Sequence, residues 1–229
     1  MRRQRVASIA MAVAFGVSAV TGCTGGGSPD TATASGTAPV IVPGKPGEPA
    51  RTVPAESMDR SGSPQRTKPN DADIRYVRMM IPHHYQALVL TRLVPERSSS
   101  EQVRGLAARI NDAQRVEIDA MQAWQKQHGL EVTDPKASYQ RQLRHPAHLE
   151  AMGMATPEEV AKLEAAQGQE FDVLFLRLMK EHHSGAITMS EKVVADGNAV
   201  LLHQMALDII ATQRDEIRRM RDLLNRLTP

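Results

Sequence analysis

Two pairs of adjacent histidines are the residues of this sequence that are best suited to chemistry. His83-His84 and His182-His183 stand 99 positions apart, and each pair begins three residues after a methionine. Imidazole nitrogens bind transition metals and also exchange protons near neutral pH. The same residues recur around both pairs, so the chemistry is expected in two equivalent copies.

The residues around each histidine pair form a repeated pattern. Both copies read Asp-x6-Met-x2-His-His-x2-Ala and, further along the chain, Ile-x3-Gln-x2-Glu-Ile-x2-Met, with the same offset of 99 for both blocks. A shared offset over two separate blocks indicates an internal duplication. The first copy contains Asp73, Met80, Gln114 and Glu117, and the second contains Asp172, Met179, Gln213 and Glu216.

Helical periodicity turns these polar side chains toward the interior. At about 100° per residue, Met80 lies near the centre of the apolar face of its helix, with His83 and His84 on either side. Gln114 and Glu117 lie within the apolar stripe of the partner helix and not on its polar face. Each half is therefore expected to bury several polar side chains, which is costly unless each has a partner.

One interpretation of this buried group is a transition-metal site. Imidazole with thioether favours copper, whereas imidazole with carboxylate also suits zinc, so copper is predicted first and zinc second. Glu-x-x-His, the signature of di-iron carboxylate bundles, does not occur in the sequence. The predicted ligands are Met80, His83, His84, Glu117, Met179, His182, His183 and Glu216, and the predicted orienting residues are Asp73, Gln114, Asp172 and Gln213.

Two other interpretations are open at this point. In one, the imidazoles donate to Glu117, Glu216 and the glutamine amides in a metal-free hydrogen-bonded layer, within a structural bundle that docks onto a partner. In the other, Glu117 or Glu216 is the base of a metal-dependent enzyme. The sequence contains no nucleophile elbow, phosphate-binding loop or Gly-rich cofactor turn, which favours a binding protein over an enzyme.

The elements that must position these residues are helices. The periodicity of both copies predicts an all-α fold, a duplicated four-helix bundle in which a long crossover joins two helical hairpins. Repeat one is expected at about residues 71–127, the crossover at about 128–169 and repeat two at about 170–229. Thr156-Pro157-Glu158-Glu159 predicts a short helix within the crossover, with Thr156 as its N-cap.

The crossover contains a second group of candidate metal ligands. His145, His148, Met152 and Met154 lie close together in the sequence, with His128 upstream. Histidine and methionine together suit copper, so this segment is a candidate for a weak copper-capture site. An ordinary polar loop that contains methionine would have the same composition, and both interpretations stay open.

The amino terminus has the features of an export signal. Arg2, Arg3 and Arg5 precede an apolar run at residues 6–20, which is too short to span a bilayer as a permanent helix. Residues 1–22 are therefore expected to be a signal peptide. The formal charge of the chain falls from +2 to −1 without these three arginines, and no basic run interleaved with aromatic residues occurs, so nucleic-acid binding is not expected.

A single cysteine follows the apolar run. Val20-Thr21-Gly22-Cys23 resembles the lipobox of bacterial lipoproteins, in which the cysteine is acylated and becomes the first residue of the mature chain. Cys23 is the only cysteine of the 229 residues, which suits a lipid anchor on the extracytoplasmic side of the bacterial cell membrane. The remainder of residues 23–70 is rich in Gly, Pro, Ser and Thr and is expected to be a disordered tether.

The repeated pattern resembles a family of bacterial secreted proteins, the domain of unknown function 305. The resemblance covers about residues 71–229 and includes the crossover segment Met152-Gly153-Met154-Ala155-Thr156-Pro157-Glu158. It implies a ferritin-like helical bundle, an exported location and a functional His-His motif. Some members of the family are associated with copper binding or copper tolerance, so the resemblance also implies copper handling in the cell envelope.

Overall fold

Helices make up most of the structure, a computed structural model that describes residues 40–42, 48–54 and 68–228. The predicted signal peptide, Cys23 and most of the predicted tether lie outside these residues. The elements are β1 (Val40–Val42), β2 (Arg51–Val53), α1 (Asp71–Thr91), α2 (Val94–Arg97), α3 (Glu101–Gln127), α4 (Pro135–Gln142), α5 (Pro146–Ala151), α6 (Pro157–Ala165), α7 (Gly168–Asp196) and α8 (Val200–Leu227).

Side-chain caps fix where several of these helices begin. Asn70 accepts hydrogen bonds from the first turn of α1, and the Asp73 carboxylate accepts one from the Asn70 backbone N–H, which completes a capping box. Ser100 caps α3 through the N–H of Val103. The predicted start of the crossover helix is confirmed, since Thr156 and Glu159 form a second capping box at α6.

Four long helices form the bundle. Helix α1 packs on α3, α7 packs on α8, and α1 and α7 also pack on each other. This arrangement confirms the predicted all-α, duplicated four-helix bundle. Two apolar clusters fill the bundle on either side of its middle: cluster A includes Val103, Leu106, Ile110, Phe171, Phe175, Met179 and Met220, and cluster B includes Val77, Met80, Ile118, Met121, Trp124, Ala186 and Leu202.

Two buried aspartates tie each repeat to the other. Asp73 in α1 accepts from the backbone N–H groups of Asn198–Ala199, directly before α8, at 3.0 and 3.1 Å. Asp172 in α7 accepts from the N–H groups of Ser99–Ser100, directly before α3, at 3.2 and 3.1 Å. Because residues 198–199 correspond to 99–100 at the offset of 99, these contacts are reciprocal, as a pseudo-twofold relation requires.

The crossover is more helical than its sequence indicated. It forms α4, α5 and α6, where the sequence predicted one short helix. Asp134 caps α4 through the N–H of Ala137, and prolines stand at the start of all three helices. The apolar residues of this segment form a third cluster against the bundle, cluster C, which comprises Tyr139, Leu149, Met152 and Met154 with Met79, Tyr85, Val89, Leu143 and Met189 at its edge.

Part of the predicted tether has regular structure. Strands β1 and β2 pair antiparallel, with Ile41 opposite Thr52. Both strands are short and rich in β-branched residues, which favour extended backbone. The sequence predicts a disordered tether here because Gly and Pro are frequent in the residues around the two strands. None of the helices in the described ranges has the length and hydropathy of a membrane-spanning segment.

Candidate metal centre

The four histidines lie at the middle of the bundle. His83 and His84 belong to α1, His182 and His183 belong to α7, and all four are fully buried. Along each long helix they stand between residues of cluster A and residues of cluster B. The histidine side chains therefore lie inside the bundle, as predicted, and form one polar layer between the two apolar clusters.

The outer histidine of each pair bonds to a glutamate of its own repeat. The Nε2–H of His84 donates to Oε2 of Glu117 on α3 at 2.6 Å, and that of His183 donates to Oε2 of Glu216 on α8 at 2.7 Å. The glutamate side chains are 23% and 12% exposed, so each reaches from the edge of the layer toward a buried ring. These two contacts are equivalent in the two repeats.

The inner histidines meet at the centre. The rings of His83 and His182 lie 3.8 Å apart between centroids. The Nε2–H of His182 donates to the backbone carbonyl of His83 at 2.8 Å, and the Nε2–H of His83 donates to the carbonyl of Met152 in the crossover at 3.1 Å. Since a carbonyl oxygen can only accept, both rings must carry their proton on Nε2.

The second nitrogen, Nδ1, of each of these four rings has no partner in the described part of the chain. The Nδ1 atoms of all four histidines are buried without a hydrogen bond among the described residues. Burial lowers the pKa of His83 to about 3, helped by the neighbouring His84, and burial likewise lowers the pKa of His182 well below its usual range. The inner rings are therefore neutral at physiological pH, with an unshared lone pair on Nδ1.

Two glutamines of the layer are also without partners. Gln114 on α3 and Gln213 on α8 are each 2% exposed, and neither the amide nitrogen nor the oxygen of either side chain has a hydrogen bond to any residue that the structure describes. Buried amides are normally hydrogen-bonded, because desolvation without compensation is costly. The described side chains therefore satisfy only part of the hydrogen-bonding capacity of this layer.

These side chains fit some metal sites better than others. Within the described residues no three His, Cys, Asp or Glu side chains are placed to share one metal ion. A site that needs four protein nitrogens or carboxylates, as structural zinc does, therefore does not fit. An ion held by one or two imidazoles and a thioether does, because Met80 and Met179 lie three and four residues before the histidines, on the same face of their helices.

A contact that sequence analysis missed holds the crossover beside the histidines. The Gln86 amide donates to the carbonyl of Ala155 at 2.7 Å and accepts from its N–H at 2.8 Å. The residue at the same position of repeat two is Gly185, where a methyl group would overlap the carbonyl oxygen of Met152. The signal in the sequence was this mismatch, Gln in one copy and Gly in the other, within otherwise matching blocks.

The predicted orienting aspartates lie elsewhere. Asp73 and Asp172 bond to the loops before α8 and α3, and none of their hydrogen bonds goes to an imidazole. Asp73 lies ten residues before His83, and Asp172 lies ten residues before His182. Ten residues span about 15 Å along a helix axis. A helical wheel shows the direction of a side chain around the helix axis but not its position along that axis. The hydrogen bonds of the two aspartates support a role in capping helix ends and not in orienting the histidine rings.

The second predicted cluster is divided by the structure. Met152 and Met154 are buried in cluster C, whereas His145 and His148 are exposed. Helix α5 has only six residues, and the chain turns into the protein at Met152 directly after it. The four side chains therefore do not form one group of ligands, and His128 instead packs its ring on Trp124, 4.5 Å between centroids.

A duplicated helical bundle with a buried histidine–glutamate layer is the class of protein that this fold and site define. The model of the family described as Domain of unknown function (DUF305) matches residues 73–224, and the chain belongs to this family. This confirms the resemblance noted in the sequence. A search of curated proteins finds no match.

Solved structures with the same fold include two further members of the family. A DUF305 fragment from Deinococcus radiodurans is 33% identical, with a TM-score of 0.62, over 70% of this chain and 99% of that one. A DUF305 protein from Streptomyces coelicolor, which carries the provisional description of a secreted protein, is 30% identical, with a TM-score of 0.57, over 68% and 93%. CopM in a Cu(II)-bound form is 25% identical, with a TM-score of 0.57, over 67% and 96%.

Proposed function

We propose that this chain binds copper through the buried histidine layer and takes part in handling that metal outside the cytoplasm. The observation that carries the proposal is the set of four Nδ1 atoms, which are buried and have no hydrogen-bond partner among the described residues; on the two neutral inner rings this atom has a free lone pair. Metal-binding histidines usually donate their other N–H to a carboxylate or a carbonyl, and all four rings do so here. Glu117 and Glu216 would then orient rings and not bind the metal directly.

The ligand set favours copper over zinc. Met80 and Met179 are fully buried and would supply soft thioether sulfur, which selects Cu(I). Zinc prefers four nitrogen, thiolate or carboxylate ligands, and the described residues do not bring three such groups together. Support also comes from the relative CopM, which has been solved in a Cu(II)-bound form.

A metal-free structural layer is the second candidate function. The short bonds from His84 to Glu117 and from His183 to Glu216 are what that interpretation predicts. A structural layer should, however, satisfy both nitrogens of each ring and the amides of Gln114 and Gln213. The unsatisfied atoms are found in both repeats at corresponding positions, which favours a ligand-binding role.

Titration of the apo-protein tests the two candidates. Cu(I), Cu(II) and Zn(II) are titrated by calorimetry and by competition with chromogenic chelators, with Cu(I) kept under nitrogen. Replacement of His83 and His84 by Gln, or of His182 and His183 by Gln, should abolish tight copper binding. The matched control replaces His145 and His148, which are exposed, and should retain it.

The glutamates give a graded second measurement. Glu117→Gln and Glu216→Gln keep an acceptor for the ring N–H but remove its charge, and each should weaken copper binding about 10- to 100-fold. If the wild-type chain binds copper no more tightly than the variants with both buried pairs replaced, the copper proposal is overturned. A large loss of folding stability in those variants would then identify the layer as structural.

The location of the protein is part of the same proposal. We infer export and lipid anchoring through Cys23 from the sequence, and support for export comes from the description of the Streptomyces coelicolor relative. Cys23→Ser should move the protein from the membrane fraction to the soluble fraction of cells without a change in its circular dichroism. Retention of the variant in the membrane fraction would refute the anchor.

A further inference from the structure

A cavity of about 540 Å³ opens between α1, the loop before α4, and the helices α4 and α5. Its volume lies in the range of sites for small molecules. Arg78, Arg141, Glu131 and Asp134 contribute charge to its lining. It lies outside the histidine layer, and no part of the proposed copper site lines it.

The charges around this cavity are not paired with one another. None of the ion pairs between described residues joins Arg78 or Arg141 to Glu131 or Asp134. Arg141 is oriented by a hydrogen bond from its Nη2 to Ser138, which is buried at 7% exposure, and Asp134 accepts from the N–H of Ala137. Two cationic and two anionic side chains therefore line one opening, and no ion pair between described residues joins the two groups.

A ligand that fits this cavity would carry an anionic group for the two arginines and a cationic group for Glu131 and Asp134. Arginine binds carboxylate with two parallel hydrogen bonds, which makes a carboxylate the matching anion.

We propose that this cavity binds a zwitterion, an amino acid or the ends of a short peptide, with its carboxylate at Arg78 and Arg141 and its ammonium at Glu131 and Asp134. Each class of charge in the lining then has a counterpart in the ligand. The proposal does not depend on copper binding, because the cavity shares no residue with the histidine layer.

Calorimetric titration of the purified full chain with L-alanyl-L-alanine tests the proposal, in buffer with EDTA so that the dipeptide does not report a bound metal. Binding with a dissociation constant of about 1 mM or tighter is expected. Arg78→Gln, Arg141→Gln and Glu131→Gln should each weaken it at least about tenfold. The matched control is Arg177→Gln, the exposed repeat-two equivalent of Arg78, which should bind as the wild type does.

Two blocked dipeptides separate a zwitterion site from a site for either charge alone. N-acetyl-alanyl-alanine lacks the ammonium, and alanyl-alanine amide lacks the carboxylate, so both should bind at least about tenfold more weakly. Equal binding of the acetylated dipeptide would indicate a simple anion site, and equal binding of the amide a simple cation site. Either result, the absence of dipeptide binding, or an equal loss in Arg177→Gln overturns the proposal.

Discussion

The two repeats contain the same histidine motif but support it differently. Repeat one has Gln86 where repeat two has Gly185. The Gln86 side chain binds the backbone of Ala155, whereas the absence of a side chain at Gly185 leaves room for the carbonyl of Met152. Both positions are thus adapted to the same crossover segment, one by holding it and the other by making space for it.

This difference reaches the inner histidines. His83 donates to the crossover carbonyl of Met152, but His182 donates to the carbonyl of His83, which belongs to the bundle itself. The outer pairs with Glu117 and Glu216 remain equivalent. A duplicated motif can therefore present identical side chains while the groups that orient them differ between its copies.

A methyl group at Gly185 should change the stability of the protein more than any other variant proposed here. In Gly185→Ala the new methyl group overlaps the carbonyl oxygen of Met152. Because that oxygen belongs to the backbone, the crossover itself must shift. We expect a loss of about 3 kcal/mol in the free energy of unfolding, measured by urea denaturation. Gly105→Ala in α3 is the control, since only the end of Arg109 is near, and it should gain about 0.5–1 kcal/mol.

Acidification should weaken the fold through the inner histidines. Burial lowers the pKa of His83 from 6.5 to about 3 and also lowers the pKa of His182. The unfolded chain therefore takes up protons that the folded chain excludes, so stability is complete above the unfolded pKa and falls as pH drops toward the folded pKa. From pH 7 to pH 5, His83 should account for a loss of about 2 kcal/mol.

Single variants assign this pH dependence to each repeat. His83→Gln and His182→Gln should each flatten the plot of unfolding free energy against pH, and the exposed His148→Gln should leave it unchanged. A plot of unaltered slope in both buried variants would show that neither ring is kept neutral by the fold. Unequal flattening would measure the difference between a ring held by the crossover and one held by the bundle.

Two buried glutamines should respond in opposite ways to the same change. Gln86→Leu leaves the N–H and the carbonyl of Ala155 without their partner and should cost about 1.5 kcal/mol. Gln114→Leu removes an amide that has no hydrogen bond, so the apo-protein should be unchanged or more stable. Urea denaturation of the metal-free variants measures both, and similar losses would contradict the assignment of the crossover contact to Gln86.

The reciprocal aspartates should give the smallest of the expected losses of stability, with the same loss in both repeats. Asp73→Asn and Asp172→Asn keep the shape but turn charge-assisted hydrogen bonds into neutral ones, at a cost of about 1 kcal/mol each. Thermal unfolding of the two variants should show equal shifts. A shift in only one of them would mean that the repeats do not hold each other equally.

Much of the fold follows from periodicity. The offset of 99 between the copies predicts the duplication, and the apolar stripes predict which faces are buried, including the inward histidines and glutamates. The contact of each outer histidine with Glu117 or Glu216 also follows, because a buried imidazole facing a carboxylate on the neighbouring helix needs that partner.

The crossover could not be derived in the same way. Its helices are short, and their positions depend on contacts with residues distant in sequence, such as Gln86 with Ala155. Composition therefore grouped His145 and His148 with Met152 and Met154, although the chain turns between them and buries only the methionines. Periodicity describes one helix at a time, whereas tertiary packing decides which turns meet.

The reciprocal aspartate contacts determine what one repeat would lack if it were separated from the other. Each repeat lacks partners that its own helix ends require, since Asp73 bonds to Asn198–Ala199 and Asp172 bonds to Ser99–Ser100. One repeat alone is thus one side of an isologous interface, which a second identical copy would complete. The crossover joins the two sides covalently, so that dilution, which separates the subunits of a dimer, leaves this pairing intact.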